Sequence, residues 1–276
     1  TRRSSDLSVQ DVDHLFELGD AANHEVLIAE YMQKRAQKEL PHSNNPPRLQ
    51  SMVDEGKKVE WNTMLSKPNV IKIHYGKAAA SIKEKFAHRF IGSRFVLTRK
   101  ACREGEEVNP DDLNSFVVKG RWCLQGHLDP DLAEKAESGC LKSPTLSQLG
   151  RMTLMQMIAS HKWLLQLGDI RGAFLEAGPL EEKYRTLYAR QPAGGIPGVP
   201  ADAVIEVLGN VYGQNDAPAS WFREFTKEAQ LCGWQPSKYD PCLFHLRSSK
   251  SQALIGVLGV HVEDRKSTRL NSSHVK

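Results

Sequence analysis

The chain has 276 residues, of which 40% are hydrophobic, 25% charged and 7% aromatic, with a formal net charge of +4. That composition belongs to a folded globular protein of one large domain or two smaller ones, and no apolar run comes near the roughly 20 residues of a membrane span, so no membrane partner is expected. The five cysteines (Cys102, Cys123, Cys140, Cys232 and Cys242) form no CxxC pair. An odd, scattered set argues against a disulfide framework or a zinc site and for reduced thiols, which points to an intracellular protein, cytoplasmic or nuclear.

The opening "TRRSSDLSVQ" lacks an apolar core, so no secretory leader is expected, and the absence of an initiating Met suggests a fragment. Residues 11–40 read as a helix stopped by Pro41, with Val26, Ala29, Gln33, Ala36 and Leu40 at helical spacing. "PHSNNPP" (41–47) is a linker, and "LQSMVDEGKKVEWNTMLSK" is a second helix. A short strand follows near Val70–Ile73, then a basic helix near Lys77–Phe86. Strands are expected at 89–100 and 115–127, on either side of the polar turn "EGEEVNPDD".

The pattern changes at 145. "TLSQLGRMTLMQMIASHK" predicts a helix capped by Thr145 or Ser147 with Leu149, Met152, Met155 and Ala159 inward. The apolar run 163–170 predicts a buried strand ending in Asp169. A Gly- and Pro-rich loop (191–202) leads to a strand at 203–209. In "VYGQNDAPASWFREFTKEAQLCG", Asp216 is placed to cap a helix that has Pro218 in its first turn and Gly233 at its end. Trp221, Phe222 and Phe225 are expected to be core packing for that helix. Residues 242–247 and 252–262 predict a hairpin around "SSKS". The sum is an α+β fold, with a small, mostly antiparallel sheet packed on helices.

Acids close the strand at 163–170 (Asp169) and follow the last strand (Glu263, Asp264). One such acid is ordinarily a turn residue. A set brought together by adjacent strands is what two-metal phosphoryl chemistry needs, because carboxylates must bridge two ions about 4 Å apart.

Several blocks extend this signal. They are, in order, "FIGSRFVLTRK", "VVKGRWCLQGH", "SPTLSQLGRMTLMQMIASHKWLLQLGDIRGAFLEA", "TLYARQPAG", "VYGQNDAPASWF", "GWQPSKYDPCLFHL" and "VHVED". Together they resemble the reverse transcriptases of copia-type LTR retrotransposons, over about residues 85–263 and most closely from 119 onward. The resemblance implies an RNA-directed DNA polymerase, part of a Pol polyprotein, with RNA template, DNA primer and dNTPs as partners. It implies polymerase fingers and palm, truncated before the palm is complete. The remaining palm, thumb and RNase H regions of the polyprotein would be further partners. The domain plan is a helical N-terminal segment and linker (1–47), a fingers-like region (48–144), a palm (145–263) and a tail (264–276).

By the same resemblance Asp169, Glu263 and Asp264 are the catalytic, metal-binding acids for two Mg2+ ions, with Mn2+ able to substitute. The carbonyl of Ile170 is a backbone ligand and Phe174 a steric gate against a 2′-hydroxyl. Lys119 and Arg121, on one face of a fingers strand, would meet the incoming triphosphate, which Arg can grip bidentately. Tyr212 and Gly213 belong to the nucleotide-facing turn, where Gly213 would let the backbone approach closely.

Two departures stand out: Asp216 where the family usually has Gln, and "HVED" for the family's "YVDD". The first eleven residues of "DRKSTRLNSSHVK" are those encoded by a common sequencing-library adapter, so the tail reads as an artefact and the source gene is expected to encode Asp at 263. The tail supplies three of the four net charges, leaving +1 for the rest. Net charge is thus a poor pointer to a polyanionic partner. The alternative reading is a degenerate or domesticated copy that binds nucleic acid without catalysis, and the fragment is expected to be inactive alone.

Overall fold

The computed structural model describes residues 39–103, 108–184 and 186–262. Glu263, Asp264, the tail and nearly all of the helix expected at 11–40 lie outside them. The described residues form a mixed α/β protein with small sheets and five helices. The chain divides into two compact units, Thr1–Gly56 with Val96–Gly120, and Lys57–Phe95 with Arg121–Lys276. The division cuts through α1 (Pro47–Ser66), β3 (Ser93–Ala101) and β4 (Phe116–Leu124).

In the first unit, Glu39 and Leu40 are not the helix end expected there. Glu39 bridges Thr98, and the Leu40 amide donates to the Leu97 carbonyl at 2.8 Å, so this stretch runs alongside a strand. Leu40, Val53, Leu97, Phe116 and Val118 are buried. Gly56 sits where a Cβ would lie 2.6 Å from the Val118 carbonyl oxygen, so only glycine lets the helix come this close. The guanidinium of Arg99 lies 5.4 Å from the Phe116 ring centroid and covers that edge.

The second unit contains two sheets. One has the order β1-β6-β5-β2, formed by Ile71–His74, Val204–Val207, Tyr188–Ala189 and Phe90–Ile91. Its β1–β6 and β5–β6 pairs are antiparallel and β2–β5 is parallel. Helix α2 (Gly76–Lys85) closes one side through Ala79, packed with Tyr188 and Val204. The other sheet is the antiparallel set β7 (Gln235–Pro236), β8 (Leu243–Arg247) and β9 (Leu254–Gly259), containing the expected hairpin. Helix α5 (Ala217–Leu231) buries Trp221 and Phe222 in a cluster with Cys242, Phe244, Val260 and Val262, as the sequence predicts. Burial pushes the Cys242 thiol up to about 12, an inert sulfur in an apolar core. Between these elements lie the short α3 (Leu132–Glu137) and α4 (Gln148–His161).

Two expectations fail here. Residues 163–170 do not form a strand: no described strand pairs with them, and Leu164 and Leu167 are 84% and 79% exposed. An extended segment becomes a strand only when a neighbour takes its N–H and C=O groups, so the acid-bearing strands do not converge among the described residues. The strand at 203–209 forms, but in the other sheet, away from the hairpin. The inward face of α4 also differs from expectation. Leu149, Met152 and Met155 are exposed, while Gly150 and Leu154 are buried. The cause is Asp240. A Cβ at Gly150 would sit 2.2 Å from its carboxylate, so the helix turns its bare side towards Asp240. The next residues on that face, Leu146 and Leu154, then reach β9 at Gly259.

Candidate functional site

Strand β4 alternates strictly at its start: Phe116, Val118 and Gly120 are buried, and Val117, Lys119 and Arg121 are exposed. This is the period-2 placement expected for Lys119 and Arg121. Beneath, Trp122 is fully buried, its indole N–H donating to Ser93 Oγ at 3.1 Å and its ring edge-on to Trp61 at 5.5 Å. The strand end that carries Arg121 is therefore a rigid base.

Against that strand end lies the turn of "VYGQND". The Leu124 amide donates to the Tyr212 carbonyl at 2.8 Å. Gly213 has φ +88, and a Cβ there would fall 2.1 Å from the Leu124 carbonyl oxygen. Both its backbone conformation and its space demand glycine. The approach is mutual, because a Cβ on Gly126 would meet the Gly213 carbonyl oxygen at 2.3 Å. Asn215 Nδ2 donates to the Gly126 carbonyl at 2.8 Å, and Gln214 Oε1 accepts from the Val211 amide at 2.6 Å. Each polar group thus fastens the turn to the end of β4, to Gly126 just beyond it, or to itself.

This packing brings Arg121 and Tyr212 together. The guanidinium carbon stands 5.7 Å from the Tyr212 ring centroid, a cation–π arrangement. The ring's other neighbour is Phe174, edge-on with centroids 6.1 Å apart. Burial raises the Tyr212 phenol above its ordinary value; the Glu60 carboxylate adds to this and Arg121 partly offsets it. Tyr212 is thus neutral near pH 7 and offers a flat, uncharged face. No described carboxylate is paired with Arg121, so its N–H fork is available to an anion.

Phe174 lies in the helical turn Ala173–Glu176, entered through Gly172 at φ +64. It also packs against the cluster containing Trp221 and Phe244. Core packing and a place beside Tyr212 therefore hold together. Asp169 and Ile170 are exposed, Ile170 at 47%, in the extended segment that leads to this turn. No hydrogen bond or ion pair joins Asp169 to another described residue. Glu263 and Asp264 lie outside the described residues. Among the described residues no cluster of three His, Cys, Asp or Glu side chains could hold a metal ion. No helix among them is long and apolar enough to cross a membrane.

Sequence reasoning missed the support behind the turn. Asp216 precedes α5 but makes no capping bond. Its Oδ2 lies 2.8 Å from Lys135 Nζ, and Asp129 Oδ2 lies 2.8 Å from the same nitrogen. Lys135 is 1% exposed and also stands 4.8 Å over the Tyr184 ring. Burial works against its charge, but the two carboxylates outweigh that and raise its pKa.

No family model matches this chain, and no solved structure matches it. It is similar to the "Retrovirus-related Pol polyprotein" sequences from transposons RE2 and RE1 of Arabidopsis thaliana, at 25% and 26% identity over 174 residues. In both, 63% of this chain is covered and 11% of the relative. The corresponding protein from transposon TNT 1-94 of Nicotiana tabacum is 27% identical over 118 residues, 43% of this chain and 9% of the relative. The chain thus spans about a tenth of the length of the curated relatives it matches.

Proposed function

We propose, from the premise that this chain is a relative of retrovirus-related Pol polyproteins of copia-type transposons, that it comprises the fingers and the first part of the palm of an RNA-directed DNA polymerase. The observation that carries the reading is the corner where Arg121 lies over Tyr212, next to Gly213 and Phe174. Three stretches far apart in sequence meet there, and each contains a residue nominated for the nucleotide. In this reading Arg121, with Lys119 on the same strand face, takes the triphosphate of a dNTP. Gly213 lets template and nucleotide approach the backbone, and Phe174 lies under the sugar.

The proposed reaction is attack of the DNA primer 3′-hydroxyl on the α-phosphorus of the dNTP, forming one P–O bond and breaking that to pyrophosphate, as directed by an RNA template. Two Mg2+ ions, with Mn2+ as substitute, belong to the proposal, held by Asp169 and the acids that the source gene would encode at 263 and 264. When bound they would stabilise charge on the reacting phosphate. Asp169 suits that role as a solvent-facing carboxylate with no ion-pair partner among the described residues.

The test is primer extension on an oligo(dT)-primed poly(rA) template, with this chain and with a longer polyprotein segment containing it. Template-dependent incorporation of dTTP by the longer segment, abolished by Asp169→Asn with the unfolding midpoint unchanged, is expected. Incorporation undiminished by Asp169→Asn would overturn the reading. Retained nucleic-acid binding with no incorporation by either polypeptide would favour a degenerate, non-catalytic copy.

A further inference from the structure

Lys135 lies among more negative charge than it can cancel. It is enclosed by Asp129, Asp216 and the Tyr184 face, so a single cation sits between two carboxylates, all three side chains nearly inaccessible to water. Asp129 has a second commitment, its Oδ1 accepting from the Asp131 amide at 3.0 Å. Asp216 has none, because its Oδ1 is buried with no described hydrogen-bond partner. Lys135 is therefore the one strong bond that Asp216's side chain makes, and Asp216 is the last residue of the turn that carries Tyr212 and Gly213. On the other side of that turn the packing against the end of β4 and Gly126 leaves no room for a Cβ at Gly213 or at Gly126. A turn seated so closely needs its far end fixed, and a buried ion pair with defined geometry supplies a register that apolar contact does not.

We infer that Lys135, gripped between Asp129 and Asp216, is a positioning residue that seats the Tyr212–Gly213 turn under Arg121 and so sets the shape of the nucleotide corner. The inference rests on the reading of that corner as a dNTP site. Lys135 touches no part of that corner itself and acts through Asp216.

The experiment measures two things on the chain as it stands. The first is hydrogen exchange at the Leu124 amide, which is bonded to the Tyr212 carbonyl and reports the seat directly, with the Val260 amide, bonded to the Cys242 carbonyl in the β8–β9 sheet, as reference. The second is affinity for fluorescently labelled dATP. Lys135→Met, and the double variant Lys135→Met/Asp216→Leu that leaves no unpaired carboxylate at 216, are compared with Arg89→Met. That control breaks a different ion pair, the two-pronged contact of Arg89 with Asp131 at 2.6 Å.

Both Lys135 variants are expected to speed exchange at Leu124 by at least tenfold with Val260 unchanged, and to weaken dATP by a similar factor, while the control does neither. Equal loosening at Leu124 and Val260, equal loosening by the control, or undisturbed Leu124 in the double variant would overturn the inference. A wild-type chain that binds no dATP would count against the nucleotide reading, and the exchange result would still decide the seat.

Discussion

Asp240 reaches back 93 positions to hold the first turn of α4, its Oδ2 accepting from Ser147 Oγ at 2.7 Å and from the Ser147 amide at 3.0 Å. The same hydroxyl accepts from the Gly150 amide at 2.9 Å, so cap and anchor are one device. Burial alone would raise the Asp240 carboxyl, but Ser147 and the Cys242 amide reverse this and hold it below its ordinary 3.8. A lowered folded value means the stabilisation is complete above the unfolded value and is lost as pH falls through the folded one. Asp240→Asn should cost about 1–3 kcal/mol at neutral pH. Urea midpoints of the two proteins, taken from about pH 7 down to pH 3, should converge at the acid end. A gap that stays constant would remove the carboxylate from the account.

The rotation of α4 makes a second, opposite pair of outcomes. Leu154→Ala empties a buried site beside Gly259 and should cost about 2–4 kcal/mol in chemical denaturation. Leu149→Gln, on the exposed side, should change stability by less than about 0.5 kcal/mol. The reverse result would restore the helical face first expected from the sequence.

That helix shows where legibility stopped. Two apolar tracks run along it, Leu149–Met152–Met155 and Leu154–Ile158, the second continued by Leu146 just before the Ser147 cap, and periodicity alone cannot rank them. The deciding fact is a glycine facing a carboxylate 90 positions away. Local signals worked well elsewhere. The Ser147 cap, and Pro218 with Gly233 around α5, formed as expected, while the run at 89–100 divides into β2 and β3 in different sheets and that at 115–127 ends as a strand at Leu124. The segment 163–170 failed because strand identity depends on a partner, and the Lys135 seat was invisible because nothing local marks a buried lysine.

At the turn, Gly213→Ala places a side chain at φ +88 and 2.1 Å from a carbonyl oxygen. Conformational strain alone costs about 1–3 kcal/mol, and relief of the clash must lift the turn off β4. Loss of stability and faster exchange at the Leu124 amide are expected together. Gly178→Ala, also at positive φ but in open space, should show only the stability loss.

Phe174 contributes to the core and, in the proposed reading, to sugar selection. Phe174→Val should lower the preference for dNTP over rNTP by about 10- to 100-fold, equivalent to about 1.4–2.7 kcal/mol, in competitive incorporation by a polypeptide active in primer extension. Unchanged selectivity with reduced stability would leave Phe174 as packing only.

The stretch from Leu164 to Ile170 has a practical consequence for anyone preparing this protein. Its amides and carbonyls make no backbone bond to another described residue, and its leucines stand in water. Such a ribbon pairs readily with a copy of itself. Concentrated samples should cloud with time, and a charged residue introduced at Leu164 should keep them clear without touching the fold.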